Sequence, residues 1–294
     1  MSSDIEAVRK LAEKLGVEPD RAVEVYNELL NEYGVEDVAL MKLRANFGVL
    51  TAEETETVVL GVHGPYDVNE PRRIYCERVY EQDPVRAIRE GLVKEVITEG
   101  GMKKVIYLDR DGKELKQNWR TNIYMLVDNK PAVFTDRLYH DAVRFTPFHK
   151  VVTKFNSKEN NGWLFLNKLA FVKDLGPLNK DELKELEKCP IFTEIGQIGD
   201  TILGEMELED LERERSRMIL TKGGVLSVRD KSIKLINPRD VDIQESMSVW
   251  PIPEQVLSGD ILYVFGRVYM RPYEYEGEKR YNLVMRQYGY LILR

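Results

Sequence analysis

A change in hydrophobic period divides this chain and limits what it can fold into. The first fifty residues place apolar side chains at intervals of three and four, which is the period of a helix. From Thr57 onward the pattern becomes that of short strands separated by turn residues such as Asn161-Gly162. Short strands with tight turns favour small closed barrels over an open parallel sheet. We therefore expect a mainly β protein with some α structure: an N-terminal helical bundle followed by two five-stranded β-barrels.

The N-terminal segment predicts three amphipathic helices. The first carries Ile5, Val8, Leu11 and Leu15 on one face and ends near Gly16, a residue that suits a helix C-terminus. The second begins after Glu18, where Pro19 fits the first turn, and ends before Gly34. The third is expected over Glu36 to Phe47. Three short helices of this kind are typical of a docking or stabilising module.

The middle of the chain predicts the first barrel, interrupted by a helical stretch from Asn69 to Val96. Asp128-Asn129-Lys130-Pro131 and Asn160-Asn161-Gly162 have strong hairpin-turn chemistry. One strand is expected before this helical stretch, at Thr57 to Val62. Five strands are expected after it, at Lys103 to Leu108, Arg120 to Val127, Ala132 to Leu138, Lys150 to Asn156 and Trp163 to Val172.

The rest of the chain predicts a connector and a second barrel. An acidic, mostly helical stretch from Asn179 to Arg215 is expected to join the two barrels. The predicted domains are residues 1–50, 51–178, 179–215 and 216–294. Strands of the second barrel are expected at Arg217 to Leu220, Val225 to Arg229, Ser232 to Ile236, Met247 to Trp250, Asp260 to Arg271 and Tyr281 to Leu293.

Charge is distributed unevenly along the chain. The net charge is -7, yet Met1 to Glu70 holds 6 Lys or Arg against 15 Asp or Glu, whereas Pro71 to Lys173 holds 20 against 13. Tyr263 to Arg294 is also mildly basic, with 6 against 3. A nucleic-acid site needs only a local basic groove. The acidic average therefore does not exclude nucleic acid as a partner.

Composition excludes several classes of protein. Two cysteines and three histidines are too few and too scattered for a disulfide scaffold or a zinc site, so no metal and no cofactor is expected. No apolar run approaches the roughly 20 residues that cross a bilayer, and Met1 to Lys10 does not resemble a secretion signal. We expect a cytoplasmic protein without a membrane partner. Its wealth of Glu, Lys and Arg is typical of thermophiles.

Motifs for catalysis are missing from the sequence. Neither glycine-rich phosphate loop occurs, and no serine or cysteine stands in a nucleophile elbow. An enzyme with three histidines would have to depend on carboxylates, so a carboxylate-based nuclease stays a remote alternative. We expect a protein that is not an enzyme and has no catalytic residues.

Aromatic and cationic residues alternate where the basic segment coincides with the predicted first barrel. A strand presents alternate side chains on opposite faces, so an outward ring can stack on a base while nearby Lys and Arg meet phosphates. At least half of the rings must nevertheless point into the barrel, and Phe165 and Phe171 are expected there. The candidate nucleic-acid-binding residues of this barrel are Trp119, Arg120, Tyr124, Arg137, Lys154, Lys158 and Trp163.

The second barrel repeats this alternation near its last hairpin. Tyr273 and Tyr275 lie at the predicted hairpin tip between Glu274 and Lys279, where a core position is least expected. Such a tip could fold over a nucleic-acid strand or contact a protein. The candidates in this barrel are Arg267, Tyr273, Tyr275 and Arg280.

One segment resembles a known family. Gly259-Asp260 followed by the apolar strand to Phe265, Gly266, Arg267 and Val268 is similar to the segment that opens the fourth strand of OB-fold single-stranded-DNA-binding domains of the archaeal replication protein A type. Trp119 to Leu126 followed by Ala132 to Leu138 is similar in arrangement to OB-fold single-stranded-DNA-binding proteins of phage and archaeal replication. The resemblance implies two OB-like barrels that coat single-stranded DNA during replication, recombination or repair, in an archaeal or viral source.

Two functions stay open at this point. The first is binding of single-stranded DNA without strong sequence preference, with RNA as another ligand and with a replication or repair protein docking on the acidic N-terminal helices. The second is a non-enzymatic structural or assembly protein whose barrels bind protein partners, because Tyr, Trp and Arg also mark protein interfaces.

Overall fold

The computed structural model describes residues 3–15, 17–50, 52–136, 140–239 and 245–293. The fold is mainly β with helices at the N-terminus and between strands. The chain divides into two compact units. The larger unit comprises Met1–Val62, Ile123–Phe134 and Asp141–Arg294, and the smaller one comprises His63–Asn122 and Thr135–His140. No helix in the described part of the chain is long and apolar enough to cross a membrane.

The three predicted N-terminal helices are present. They are α1 (Ser3–Leu15), α2 (Pro19–Tyr33) and α3 (Glu36–Leu50). The Glu18 carboxylate accepts a hydrogen bond from the Arg21 backbone N–H at 2.9 Å and caps α2, while Gly34 ends it with a φ of 67°. Their facing sides form one apolar core, composed of Val8, Ala12, Ala22, Val25, Tyr26, Leu29, Ala39, Leu43 and Phe47.

Five strands close the first barrel. They are β1 (Thr55–Asp67), β4 (Trp119–Val127), β5 (Lys130–Asp136), β6 (His149–Asn160) and β7 (Trp163–Pro177). Their order is β1-β4-β5-β7-β6, and β5 runs parallel to β7. Both predicted hairpins are present: Asp128 and Asn129 have φ values of 48° and 61°, and Asn161 and Gly162 have 49° and 74°. These pairs of positive φ values match the twist of a tight antiparallel hairpin.

The stretch between the first two barrel strands differs from the structure that its sequence predicts. It holds α4 (Glu70–Gln82), α5 (Pro84–Arg89) and a two-stranded sheet of β2 (Val93–Ile97) and β3 (Lys103–Tyr107). The helix expected up to Val96 ends earlier because Gly91, with a φ of 67°, breaks it and a β-rich segment follows. The strand expected at Lys103 to Leu108 belongs to this small sheet, in which it pairs with β2, and not to the barrel.

Short helices connect the first barrel to the second. Helix α6 (Lys180–Leu186) begins with a capping box in which Asn179 and Glu182 bond each other's backbone N–H. Helix α7 (Ile198–Leu203) follows. The acidic connector is thus helical in part, as its sequence predicts.

Five further strands close the second barrel. They are β8 (Arg215–Val228), β9 (Ile233–Ile236), β10 (Ser246–Trp250), β11 (Ile261–Tyr275) and β12 (Glu278–Leu293). Their order is β10-β12-β11-β8-β9, with β10 parallel to β12. The two strands expected on either side of Gly223-Gly224 are one strand, β8, because these glycines keep extended backbone and pair with Leu262 and Ile261.

The two barrels share an apolar interface inside the larger unit, called here the inter-barrel cluster. Gly61 of β1 and Gly289 of β12 allow the closest approach, since a Cβ on Gly289 would overlap the Leu60 carbonyl oxygen. The buried members of the cluster are Leu60, Tyr124, Leu126, Phe148, Leu178, Leu183, Leu186, Cys189, Ile191, Leu220, Tyr263 and Phe265.

Candidate nucleic-acid interface

The outward face of β11 changes character along its length. Alternate residues of a strand share a face, and Leu262, Val264, Val268 and Met270 fill the core of the second barrel. On the opposite face, Tyr263 and Phe265 are buried in the inter-barrel cluster. Beyond them the same face carries cations and rings, namely Arg267, Tyr269, Arg271, Tyr273 and Tyr275. One strand face therefore begins as an interface and continues as an open basic surface.

Neighbouring strands extend this surface sideways. In the register of the sheet, Arg267 is opposite Arg286 of β12, and Arg286 is opposite Trp250 of β10. The Arg286 guanidinium lies 5.2 Å from the centre of the Trp250 ring. This cation–π contact holds the charge beside a ring that is still 38% exposed. We call the whole surface the basic face: Lys234, Trp250, Arg267, Tyr269, Arg271, Tyr273, Tyr275, Arg280 and Arg286.

A cleft of about 520 Å³ lies on the basic face. Strands β9 and β10 form its floor through Lys234, Ser246 and Ser248, and the β11–β12 hairpin forms one wall. Four cationic side chains line it, with a single carboxylate, Glu245, among the described residues. The lining residues are Leu208, Arg229, Lys234, Glu245, Ser246, Ser248, Tyr273, Lys279, Arg280, Tyr281, Asn282 and Leu283.

The carboxylate in the cleft is tied to a tyrosine. The Tyr281 hydroxyl donates a hydrogen bond to Glu245 at 2.7 Å. Burial raises the pKa of Glu245, against the lowering effect of this bond, and burial together with Glu245 raises the pKa of Tyr281. Glu245 is therefore hydrogen-bonded to Tyr281 and not ion-paired with any of the four described cations of the cleft.

The predicted residues of the second barrel fall together on the basic face. Tyr273 and Tyr275 are 41% and 50% exposed on the hairpin, which turns at Glu276 and Gly277. Arg280 is opposite Tyr273 in the register, and its guanidinium lies 4.9 Å from the centre of the Tyr275 ring. Arg267 is exposed and follows the buried part of the same strand face. The placement supports a surface of rings and cations, while its ligand stays a prediction.

Tyr124 of the first barrel is not part of a groove, which corrects the sequence prediction. It is only 6% exposed, and its ring stacks on Tyr288 of the second barrel with ring centres 5.5 Å apart. Phe265 covers it at 5.3 Å and Trp163 contacts it edge-on at 6.5 Å. Tyr124 therefore has no free ring face for a base, and Trp163 is half-buried against it rather than fully exposed.

The two lysines predicted on β6 lie in different environments. Lys154 is 7% exposed and its ammonium lies 3.7 Å from Glu54, so it is too enclosed to reach a phosphate. Lys158 is exposed farther along the strand, opposite Phe165 of β7. Phe165 is 45% exposed, although the apolar run around it predicts a core position. Its strand alternates, and Leu166 rather than Phe165 points inward.

The remaining candidates of the first barrel either belong to the smaller unit or lie outside the residues that the structure describes. Trp119 is 40% exposed at the start of β4, and Arg120 beside it is half-buried. Arg137 lies outside the described residues.

Five members of the basic face are not among the residues predicted from the sequence. Lys234, Trp250, Tyr269, Arg271 and Arg286 complete it, yet none is a candidate from the sequence. The alternation from Arg267 to Tyr275 is a usable signal, because alternate residues there share one face of a strand. Lys234 and Trp250 cannot be found this way, since their proximity depends on the strand order. No group of three or more His, Cys, Asp or Glu side chains in the described ranges could hold a metal ion.

Comparisons with known proteins add little. No protein-family model and no curated protein matches the sequence. Solved structures that align over most of the chain include a murine DNA-binding protein bound with double-stranded DNA (7% identity, TM-score 0.28, 82% of this chain and 99% of that one). The p202 HIN1 domain in complex with 12-mer double-stranded DNA aligns with 13% identity and a TM-score of 0.34, over 82% and 92%. A replication protein A heterotrimer bound to single-stranded DNA aligns with 6% identity and a TM-score of 0.22, over 83% and 66%. Similarity at this level carries no argument about this chain.

Proposed function

We propose that this protein binds single-stranded DNA through the basic face of its second barrel, without strong sequence preference. The observation that carries the proposal is the cleft between β9, β10 and the β11–β12 hairpin, which joins four cationic side chains to an exposed tyrosine. In the proposed complex the cations neutralise phosphates, and the rings of Trp250, Tyr273 and Tyr275 accept stacked bases. Each stacked base is worth about 1 to 3 kcal/mol.

The exposed rings favour a single strand over a duplex. A base stacks on a side-chain ring only with a face that no neighbouring base covers, and paired bases in a duplex are stacked on each other. Trp250, Tyr273 and Tyr275 stand on the open surface of a sheet, where splayed bases can reach them. Stacking also tolerates every base, because each base has a flat face.

The position of the cleft fits a tandem OB-fold protein. In both barrels the third strand runs parallel to the fifth, and the fourth lies between the fifth and the first. OB folds bind oligonucleotides on the face of their second and third strands and on the adjoining loops. In the second barrel those strands are β9 and β10, which form the floor of the cleft.

The proposed role is a coating of single-stranded DNA during replication, recombination or repair, in the cytoplasm and without catalysis. The acidic N-terminal helices would contact a replication or repair protein rather than DNA. They present exposed apolar residues for such a contact, including Val38 and Met41 of α3 at 38% and 64% exposure. A protein whose barrels bind only other proteins is the competing function.

The test is the salt dependence of oligothymidylate binding in a charge-reversal variant. Lys234→Glu, Arg267→Glu and Arg280→Glu together should lower affinity by about 100-fold at low salt, and should reduce the slope of log affinity against log salt by roughly 0.7 for each phosphate that is no longer neutralised. The matched control is Lys130→Glu, Lys158→Glu and Lys168→Glu on the first barrel, which should bind normally. Absence of oligothymidylate binding by the wild type would favour the protein-binding function.

A further inference from the structure

The smaller unit contains a cleft of its own. Its volume is about 810 Å³, within the range of small-ligand sites. Residues from the segment before α4, from the turn after β3 and from the start of β4 line it. They are Asn69, Asp109, Lys113, Glu114, Lys116, Gln117, Asn118 and Trp119.

A buried carboxylate fixes the frame of this cleft. Asp67 accepts hydrogen bonds from the backbone N–H groups of Asn69 at 3.0 Å and Asn118 at 2.9 Å, and its other oxygen pairs with Arg73 at 2.6 Å. Burial by itself would raise the pKa of Asp67, but these donors outweigh burial and lower it. The Asn69 side chain also donates to the Lys116 carbonyl oxygen at 2.8 Å. Both ends of the lining are therefore held in place before any ligand arrives.

Trp119 differs from the other two tryptophans of the chain. Trp250 is stacked with Arg286, and Trp163 contacts Tyr124. Trp119 is 40% exposed, and within the described ranges no ring or cation stacks on it. A large exposed ring in a preformed cleft is a platform for a flat ligand.

The polar groups around Trp119 match a nucleotide. The amides of Gln117 and Asn118 offer donors and acceptors together, the pattern that pairs with the edge of an unpaired base. Lys113 and Lys116 can meet a phosphate, and no ion pair among the described residues occupies either ammonium. Asp109 and Glu114 balance these charges, so the site suits one nucleotide better than a polyanion.

We propose that this cleft binds a single unstacked nucleotide, with its base on Trp119, the base edge on Gln117 and Asn118, and the phosphate on Lys113 or Lys116. The nucleotide is either free in solution or one residue of a longer strand. The site depends only on residues of the smaller unit. It does not require the proposed function of the second barrel.

The experiment uses full-length protein in which Trp119 is the only tryptophan, made by Trp163→Phe and Trp250→Phe. Adenosine monophosphate should quench its fluorescence saturably, and ribose 5-phosphate, which lacks the base, should not. Gln117→Ala in this background should weaken binding by about 5-fold, the usual effect of removing one hydrogen bond. If the double substitution disturbs folding, the difference in quenching between wild type and Trp119→Phe gives the same information.

An oligothymidylate titration of the same variant distinguishes a free nucleotide from a nucleotide within a strand. Quenching by the oligonucleotide alone assigns the cleft to a base within a strand, and quenching by both probes shows that it also accepts a free nucleotide. No quenching by either probe, or equal quenching by ribose 5-phosphate, would overturn the proposal. A variant that retains only Trp250 reports binding at the basic face separately. Absence of quenching in that variant would argue against the proposed function and would not affect the proposal for the Trp119 cleft.

Discussion

Corresponding faces of the two barrels differ in exposure: one is buried against the other barrel, and the other is open. In the first barrel, the outward residues Tyr124 of β4 and Val133 of β5 pack into the inter-barrel cluster. In the second barrel, the outward residues Lys234 of β9 and Trp250 of β10 face an open cleft or solvent. The strand order is the same, so topology does not decide which face binds. The side chains do, because apolar outward residues stabilise an interface, whereas a face of cations and exposed rings such as Arg267 and Trp250 is not covered by the other barrel.

Tyr124→Ala tests the buried face and should have the largest effect. The substitution removes a ring that packs against Phe265 and Tyr288, so we expect the free energy of unfolding to fall by about 4 kcal/mol. Denaturant unfolding measures this change. Tyr275→Ala, at a ring that is 50% exposed, should change stability by no more than about 0.5 kcal/mol. Equal losses in the two variants would contradict the comparison.

Gly289→Ala tests how closely the barrels approach. The new methyl group would overlap the Leu60 carbonyl oxygen, a backbone atom that cannot move without shifting a strand. We expect the free energy of unfolding to fall by about 3 kcal/mol. Gly196→Ala is the matched control, because a Cβ there meets no atom within 4 Å. An unchanged denaturation midpoint for Gly289→Ala would show that the barrels can separate freely.

Alkaline pH should loosen the same interface. Burial, with a smaller effect from Tyr124, raises the pKa of Tyr288 from 10.0 to about 12. The folded protein therefore keeps this proton where the unfolded chain loses it, and stability declines as pH rises from about 10 to about 12. Tyr288→Phe should remove about 2 kcal/mol of that decline. Denaturation at a series of alkaline pH values measures it, and an identical decline in the variant would exclude Tyr288 as the cause.

Trp250→Ala tests the open face and should have the smallest energetic effect. It removes one stacking surface, so oligothymidylate affinity should fall by roughly 10-fold, at the lower end of the value of a stacked base. Stability should change little, because the ring is 38% exposed. Fluorescence anisotropy of a labelled oligonucleotide measures the affinity. Unchanged affinity would remove Trp250 from the interface.

Much of the fold could be predicted because strand and turn signals are local. The Asp128-Asn129 and Asn161-Gly162 turns have the positive φ values that their residue types favour. The segment between the first two barrel strands is harder. Lys103 to Leu108 has the composition of a strand, yet its pairing with β2 is a tertiary choice that the segment itself does not encode.

The site could be predicted only in part. An exposed hairpin tip marks Tyr273 and Tyr275 from the sequence alone. By contrast, Tyr124 follows Arg120 and Asn122 on one face of its strand, as an exposed ring would, and its burial depends on a second barrel more than a hundred residues away in sequence. Neither the composition nor the hydrophobic period of a strand indicates which of its outward faces another domain covers.

We propose that the strand binds on the basic face of the second barrel and not on the face of the first barrel that carries Trp163. Two single-tryptophan proteins test it directly: one retains only Trp250, the other only Trp163. Oligothymidylate should quench Trp250 saturably, with an effect that weakens as salt rises, and should leave Trp163 unchanged. Quenching of Trp163 without any change at Trp250 would contradict the claim and return the site to the first barrel.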